Sequence, residues 1–179
     1  MSEVPGLSRH DITELLEELA TRLDAVDAAA RIYVVGGAAI ALDWDTRRST
    51  HDIDAVLHPR ETVRSVAAQM AVERHLPDDW LSDGVAAFVP TRDTDRRPRV
   101  VVRCGNVEIV TAPPDHLLAM KMTAFRQGDM EDLRVLVRHL RLTSAGQIAD
   151  LCERVYGPES AVLPPRDELL WQGDVILGA

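Results

Sequence analysis

The sequence predicts an α+β fold with a helical C-terminal part. Three observations carry that expectation. Strand-like runs bounded by turn residues recur, among them IYVV at 32–35 and DIDAVL at 52–57. The N-terminal segment places its apolar residues at helical spacing, and the pattern beyond Pro113-Pro114 is almost wholly helical. Short runs between Gly, Pro and Asp clusters read as strands, whereas apolar residues at i, i+3, i+4 and i+7 line one face of a helix.

Taken in order, Ser8 or Asp11 is placed to cap a first helix running to about residue 28, with Ile12, Leu15, Leu16, Leu19 and Leu23 on one stripe. A strand at about 31–35 and a helix at about 38–44 follow, then a strand at about 52–57. Pro59 opens a helix to about 75, because its fixed φ suits a first turn. PDDWLSDG at 77–84 reads as a turn with a short helical piece, 85–89 as a strand, and TRDTDRRP as a polar loop. Residues 99–104 and 107–111 form a hairpin around Gly105-Asn106. Helices at about 115–126, 129–141 and 144–156 and a short one after Pro164-Pro165 complete the chain. There are no internal repeats and no low-complexity linker. The expected organisation is a core over 1–113 and a helical part over 114–179 packed on it, or one continuous domain.

A chain of 179 residues is long enough to bury a sizeable core. Its formal charge of −9 argues against a general nucleic-acid coat, since non-specific binding needs an excess of Lys and Arg. A local basic path stays open through Arg92, Arg96, Arg97, Arg99 and Arg103, or through Arg134, Arg138 and Arg141 at helical spacing, as does plain solvated surface. Cys104 and Cys152 lack metal-ligand spacing, and a reduced cytoplasmic setting is the simple expectation. No apolar run is long enough to span a bilayer, and the acidic, amphipathic N-terminus lacks a signal-peptide pattern, so no membrane partner is expected.

The chemistry concentrates in IYVVGGAAIALDWDTRRSTHDIDAVLHP, residues 32–59. A strand ends in Gly36-Gly37, a helix follows, and a second strand carries Asp52 and Asp54. Alternate strand residues point the same way, so the two carboxylates face together. Two carboxylates at that spacing can hold a pair of divalent cations, which clamp both oxygens of an in-line phosphoryl displacement. Glycines at a strand-to-helix turn let backbone approach phosphates, and the helix N-terminus favours anions.

This stretch resembles the nucleotidyltransferase superfamily of the DNA polymerase β type: a hydrophobic strand, Gly-Gly or Gly-Ser, a spacer (here fourteen residues, Ala38 to His51), then Asp-hydrophobic-Asp. The resemblance implies a core in which a small mixed sheet is flanked by helices. It also implies that Gly36, Gly37, Arg48, Ser49 and Thr50 contact a nucleoside triphosphate. Asp52 and Asp54 would ligate two Mg²⁺, or Mn²⁺. The later run LLAMKMTAFRQGDMEDL, 117–133, is similar to the Lys and Asp motifs of AbiEii-like nucleotidyltransferases of bacterial toxin–antitoxin systems. The resemblance covers roughly residues 30–140.

Lys121 is the only lysine beside nineteen arginines, and it falls in the middle of an apolar helical arc. A buried ammonium needs an anionic partner or loses its proton; the alternative is a lysine snorkelling along apolar surface. The resemblance gives it a catalytic and nucleotide-binding role, with Asp129 and Asp132 assembling the site. Those two acids could instead cap the next helix and favour its N-terminus. Glu108, in VEIV, is the sequence's candidate for a third metal-binding acid, or else a solvent-facing strand residue. The resulting expectation is an enzyme moving a nucleoside monophosphate from an NTP to an acceptor hydroxyl, as a toxin acting on RNA such as the tRNA 3′ end, with a possible cognate antitoxin. The competing expectations are an aminoglycoside-type or a protein-modifying transferase, and a non-catalytic binding module.

Overall fold

The computed structural model describes residues 6–44, 49–92 and 94–178. Among them lie seven α-helices and a five-stranded mixed sheet, an α+β architecture consistent with a polymerase β-like core and a helical C-terminus. The chain divides into two compact units, Met1–Ala87 with Pro98–Ala112, and Phe88–Arg97 with Pro113–Ala179.

The first unit holds the sheet. Helix α1 (Arg9–Ala25) begins with both candidate caps acting together: Ser8 Oγ accepts from the Asp11 N–H at 3.3 Å, and Asp11 Oδ2 accepts from the Ser8 N–H at 2.8 Å. Its stripe of Ile12, Leu16, Leu19 and Leu23 is fully buried, worth about 1.5–3 kcal/mol per side chain. Strand β1 (Ala30–Val34) leads into α2 (Gly36–Asp43), β2 (Ile53–His58), α3 (Arg60–Arg74), β3 (Leu81–Ser82), β4 (Arg99–Cys104) and β5 (Val107–Thr111). The sheet order is β3-β2-β1-β5-β4, with β1 antiparallel to β2 and parallel to β5. Helix α1 packs on β4 and β5, and α2 and α3 pack on β2. In β2, Ile53 and Ala55 are buried while Asp54 lies half-exposed on the other face, so the strand's period of two is what turns Asp54 out of the core.

The second unit holds α4 (Pro114–Ala124), α5 (Met130–Leu140), α6 (Ala145–Tyr156) and α7 (Arg166–Leu177). Helix α4 is buried nearly all round and packs on α5 and α6; α7 packs on α5 and α6. Gly173 permits the α6–α7 approach, because a Cβ there would lie 2.8 Å from Ala145 Cα.

The structure corrects three expectations. The strand expected at 85–89 is a 3₁₀ turn, Ala86–Phe88, in which the Ala86 N–H bonds back to the Asp83 carbonyl at 3.2 Å; alanines supply too little β-branched surface to hold a strand there. The segment 77–84, read as a turn, contributes the two-residue strand β3, which pairs parallel with β2 through backbone alone. Helix α2 begins at Gly36, two residues before the expected start.

Candidate functional site

The glycine turn is built by β1 and β2 together. Val35 is extended and its N–H donates to the Asp54 carbonyl at 2.8 Å, tying the end of β1 to the start of β2. Gly36 then takes φ +63°, in the left-handed region that favours glycine. A Cβ at Gly36 would lie 3.1 Å from Asp54 Oδ2, so the missing side chain is what lets the carboxylate stand against the first residue of α2. Neither an acidic side chain nor a side-chain cap occupies the first turn of α2, Gly37 included. Its N–H groups are therefore not claimed by a side chain of its own first turn.

Asp52 lies one residue before β2 and is half-buried. Burial pushes its carboxyl above the ordinary aspartate range, and the Asp79 carboxylate adds to the push; the backbone amide and His51 act the other way. Asp79 comes into play through β3. The Ile53 N–H bonds to the Trp80 carbonyl at 2.8 Å, and Trp80 is a buried anchor whose indole N–H donates to the Ala67 carbonyl at 3.1 Å. Sequence reasoning missed Asp79, although the lone Trp between acids in PDDWLSDG was an available signal.

Ser49 and Thr50, the expected phosphate contacts, sit at an antiparallel bridge to Leu7. The Leu7 N–H donates to the Thr50 carbonyl at 2.6 Å, and Ser49 Oγ lies 3.0 Å from where a Cβ on Gly6 would be. Arg48 lies outside the described residues.

The structure does not bring Glu108 to Asp52 and Asp54. Its register partner on β1 is Arg31, three residues before Val34, and Val34 is the β1 residue facing the start of β2. At roughly 3.3 Å per residue that is about 10 Å along the sheet. Glu108 is instead ion-paired with Arg103 and, at 3.3 Å, with Arg31; the Arg103 hydrogen bond holds its carboxyl below the ordinary range. Just past β5 the position with the same facing at the Asp54 end is Ala112, whose N–H bonds the Val34 carbonyl at 2.9 Å.

The lysine cluster is built within the second unit. Lys121, on α4, has a side chain only 10% exposed, and its ammonium lies 2.5 Å from Asp129 Oδ1 and 2.8 Å from Asp132 Oδ2. Asp129 occupies the N-cap position of α5 but makes no side-chain cap, so its carboxylate goes to the lysine. Asp132, on the first turn of α5, is 3% exposed in its side chain. Among the described residues, four of the eight arginines of the expected basic paths are paired with acids. Arg99 pairs with Asp43, Arg103 with Glu108, and Arg134 and Arg138 approach Glu131 at 4.0 and 3.6 Å.

Among the described residues no group of three His, Cys, Asp or Glu is placed to hold a metal ion. The pair Asp52 and Asp54 nonetheless fits Mg²⁺ or Mn²⁺. Such hard cations take oxygen ligands, and Mg²⁺ commonly uses one or two carboxylates with substrate phosphates and water completing its shell. The raised Asp52 carboxyl belongs to an acid whose charge is disfavoured in the protein alone and would be favoured beside a cation.

A mixed sheet of this order, with a glycine turn leading into a helix and an aspartate at the adjoining strand start, defines a nucleotidyltransferase-type core. A family described as nucleotidyltransferase of unknown function (DUF6036) matches residues 10–153, and the chain belongs to that family. No curated protein and no solved structure matches it. No helix among the described residues is long and apolar enough to cross a membrane.

Proposed function

We propose that this protein moves a nucleoside monophosphate from an NTP to an acceptor hydroxyl, with Asp52 and Asp54 as ligands of the divalent cations. The observation that carries the reading is the Gly36 turn, with Asp54 Oδ2 3.1 Å from the absent Cβ at the start of α2. A triphosphate is held through both kinds of feature, backbone N–H groups at a helix start and carboxylates for its cations. When bound, Mg²⁺ or Mn²⁺ neutralises phosphate charge and lowers the pKa of the attacking hydroxyl. The acceptor hydroxyl gives up its proton to solvent as its oxygen forms a bond to the α-phosphorus, the bond from that phosphorus to the bridging oxygen breaks, and pyrophosphate leaves. By the family resemblance Lys121 is assigned to the nucleotide and to the reaction, and within its own unit Asp129 and Asp132 hold its ammonium in place. Ser49, Thr50, Gly37 and Arg48 are assigned to the triphosphate by the family resemblance. Glu108 is left out, because its arginine partners take its charge.

The acceptor we propose is RNA, the tRNA 3′ end in particular, and the role that of a toxin held in check by a cognate antitoxin. The support is the motif order shared with AbiEii-like toxins, Gly-Gly, Asp-x-Asp and then Lys…Asp, together with the closed Lys121–Asp129–Asp132 cluster. The test incubates purified protein with Mg²⁺, each labelled NTP in turn and total bacterial tRNA, beside Asp54→Asn. Label on tRNA only with the intact protein is the expected result, as is growth arrest on induced expression. Transfer by Asp54→Asn at the wild-type rate overturns the mechanism. NTP binding without label on RNA overturns the acceptor and turns the search to protein and aminoglycoside hydroxyls.

A further inference from the structure

Helix α2 carries the glycine turn at one end and Asp43 at the other. A carboxylate at a helix C-terminus stands at the negative pole of the dipole, where it is unfavourable. Asp43 is moreover withdrawn from water, its side chain only 6% exposed. Its cost is offset by two partners on the β4–β5 hairpin. The Thr111 hydroxyl donates to Asp43 Oδ2 at 2.6 Å, and the Arg99 Nε–H donates to Asp43 Oδ1 at 2.6 Å. Thr111 is fully buried and is the register partner of Val34, the last residue of β1. The chain therefore closes a loop: β1 ends, Gly36 turns, α2 runs eight residues, and Asp43 returns to the strand lying beside β1.

The body of α2 offers no other polar hold. Ala38, Ala39, Ile40, Ala41 and Leu42 are all buried apolar residues, and such contacts tolerate a slide or rotation better than a directional bond does. At the N-terminal end the Val35–Asp54 backbone bond fixes the turn. The Asp43–Thr111 bond fixes the other end, and with it the axis along which the first N–H groups of α2 point.

We infer that Asp43 is a positioning residue for nucleotide binding: through Thr111 and Arg99 it sets the orientation of α2, and so the aim of the Gly36-Gly37 amides at the triphosphate. The inference rests on the reading of the glycine turn as the phosphate site. Asp43 itself touches no substrate, and its influence is on affinity for the triphosphate.

The test measures equilibrium binding of a non-hydrolysable ATP analogue and of the GTP, CTP and UTP analogues, with Mg²⁺, to the full chain. The variants are Asp43→Ala, Thr111→Val, both together, and Asp43→Asn, with Ile40→Val as a control that loosens α2 without touching its anchor. For the nucleotide that the wild type binds best, Asp43→Ala raises Kd about tenfold, the scale on which small misplacements of a site act. Thr111→Val raises Kd by less, since the Arg99 bond to Asp43 remains, and the double variant adds little to Asp43→Ala, because the bond that Thr111→Val removes is already gone. Asp43→Asn, which still accepts from Thr111, recovers most of the affinity. Ile40→Val, compared by melting temperature, leaves Kd unchanged. Wild-type binding with Kd values in Asp43→Ala and Thr111→Val no different from Ile40→Val overturns the inference and leaves the proposed function standing. A wild type that binds no NTP overturns both.

Discussion

Replacing Lys121 with methionine keeps an unbranched side chain of nearly the same length and deletes its charge. The ammonium bridges Asp129 at 2.5 Å and Asp132 at 2.8 Å, and the three side chains are 10%, 19% and 3% exposed. Both carboxylates would then lose their lysine where water cannot easily replace it. Removing one partner of a buried ion pair costs about 3–5 kcal/mol, most of it the uncompensated charge left behind. For a chain of this length each kcal/mol lowers the melting temperature by about 2–4 °C, so Lys121→Met should melt on the order of 10 °C below the wild type. The triple variant Lys121→Met/Asp129→Asn/Asp132→Asn removes all three charges and should recover most of that loss. Thermal melts followed by circular dichroism, with urea titration beside them, read both numbers. A single-variant loss of under about 3 °C, or a triple variant no more stable than the single, refutes the argument that the cluster is a desolvated, mutually dependent set.

Four further perturbations follow from the same structure. Asp52 has a carboxyl raised by burial and by Asp79, so the folded protein binds that proton more readily than the unfolded chain. Stability is therefore lost as pH rises above the ordinary aspartate value and regained as it falls. Asp52→Asn should melt above the wild type at pH 7, with the gap closing towards about pH 4 and narrowing when MgCl₂ is added; equal melting temperatures across the range would count against it. Gly36→Ala meets φ +63° and Asp54 Oδ2 at 3.1 Å, and should cost about 1–2 kcal/mol and abolish transfer. Gly146→Ala, within α6 and with its nearest contact at 3.9 Å, should be neutral or slightly stabilising by comparison of melts. The Cys152 thiol is pushed up to about 12 by burial, so a thiol reagent at pH 8 should label Cys104 in the native protein and reach Cys152 only on unfolding, a difference mass spectrometry of the labelled peptides reads directly.

What could be read from the sequence was whatever depends on neighbours a few residues apart. The stripe of α1 and its Ser8–Asp11 cap follow from helical period and cap chemistry, and the β4–β5 hairpin from Gly105-Asn106 between two apolar runs. The coming together of Lys121 and Asp129 is also partly local, since a lone lysine in an apolar arc demands an acid and three lie within the next dozen residues. The glycine turn and Asp54 could be paired in advance because strand, turn, helix and strand follow one another in chain order.

Register and packing decided the rest. Glu108 was a plausible third acid by composition, and only the β1–β5 pairing places it beside Arg31 and away from the Asp54 end of the sheet. Asp79 acts on Asp52 because β3 runs alongside β2 from a buried Trp80, a pairing of two residues too short to leave a pattern in sequence. Asp43 and Thr111 stand 68 positions apart and meet through a side-chain bond that no local spacing encodes. The sequence by itself determined the periods, the caps and the chemistry at the glycine turn, because these are set by backbone geometry within a few residues. The tertiary structure alone decided which acids share a space, because that depends on strand order and register, which are set by the burial of the whole sheet.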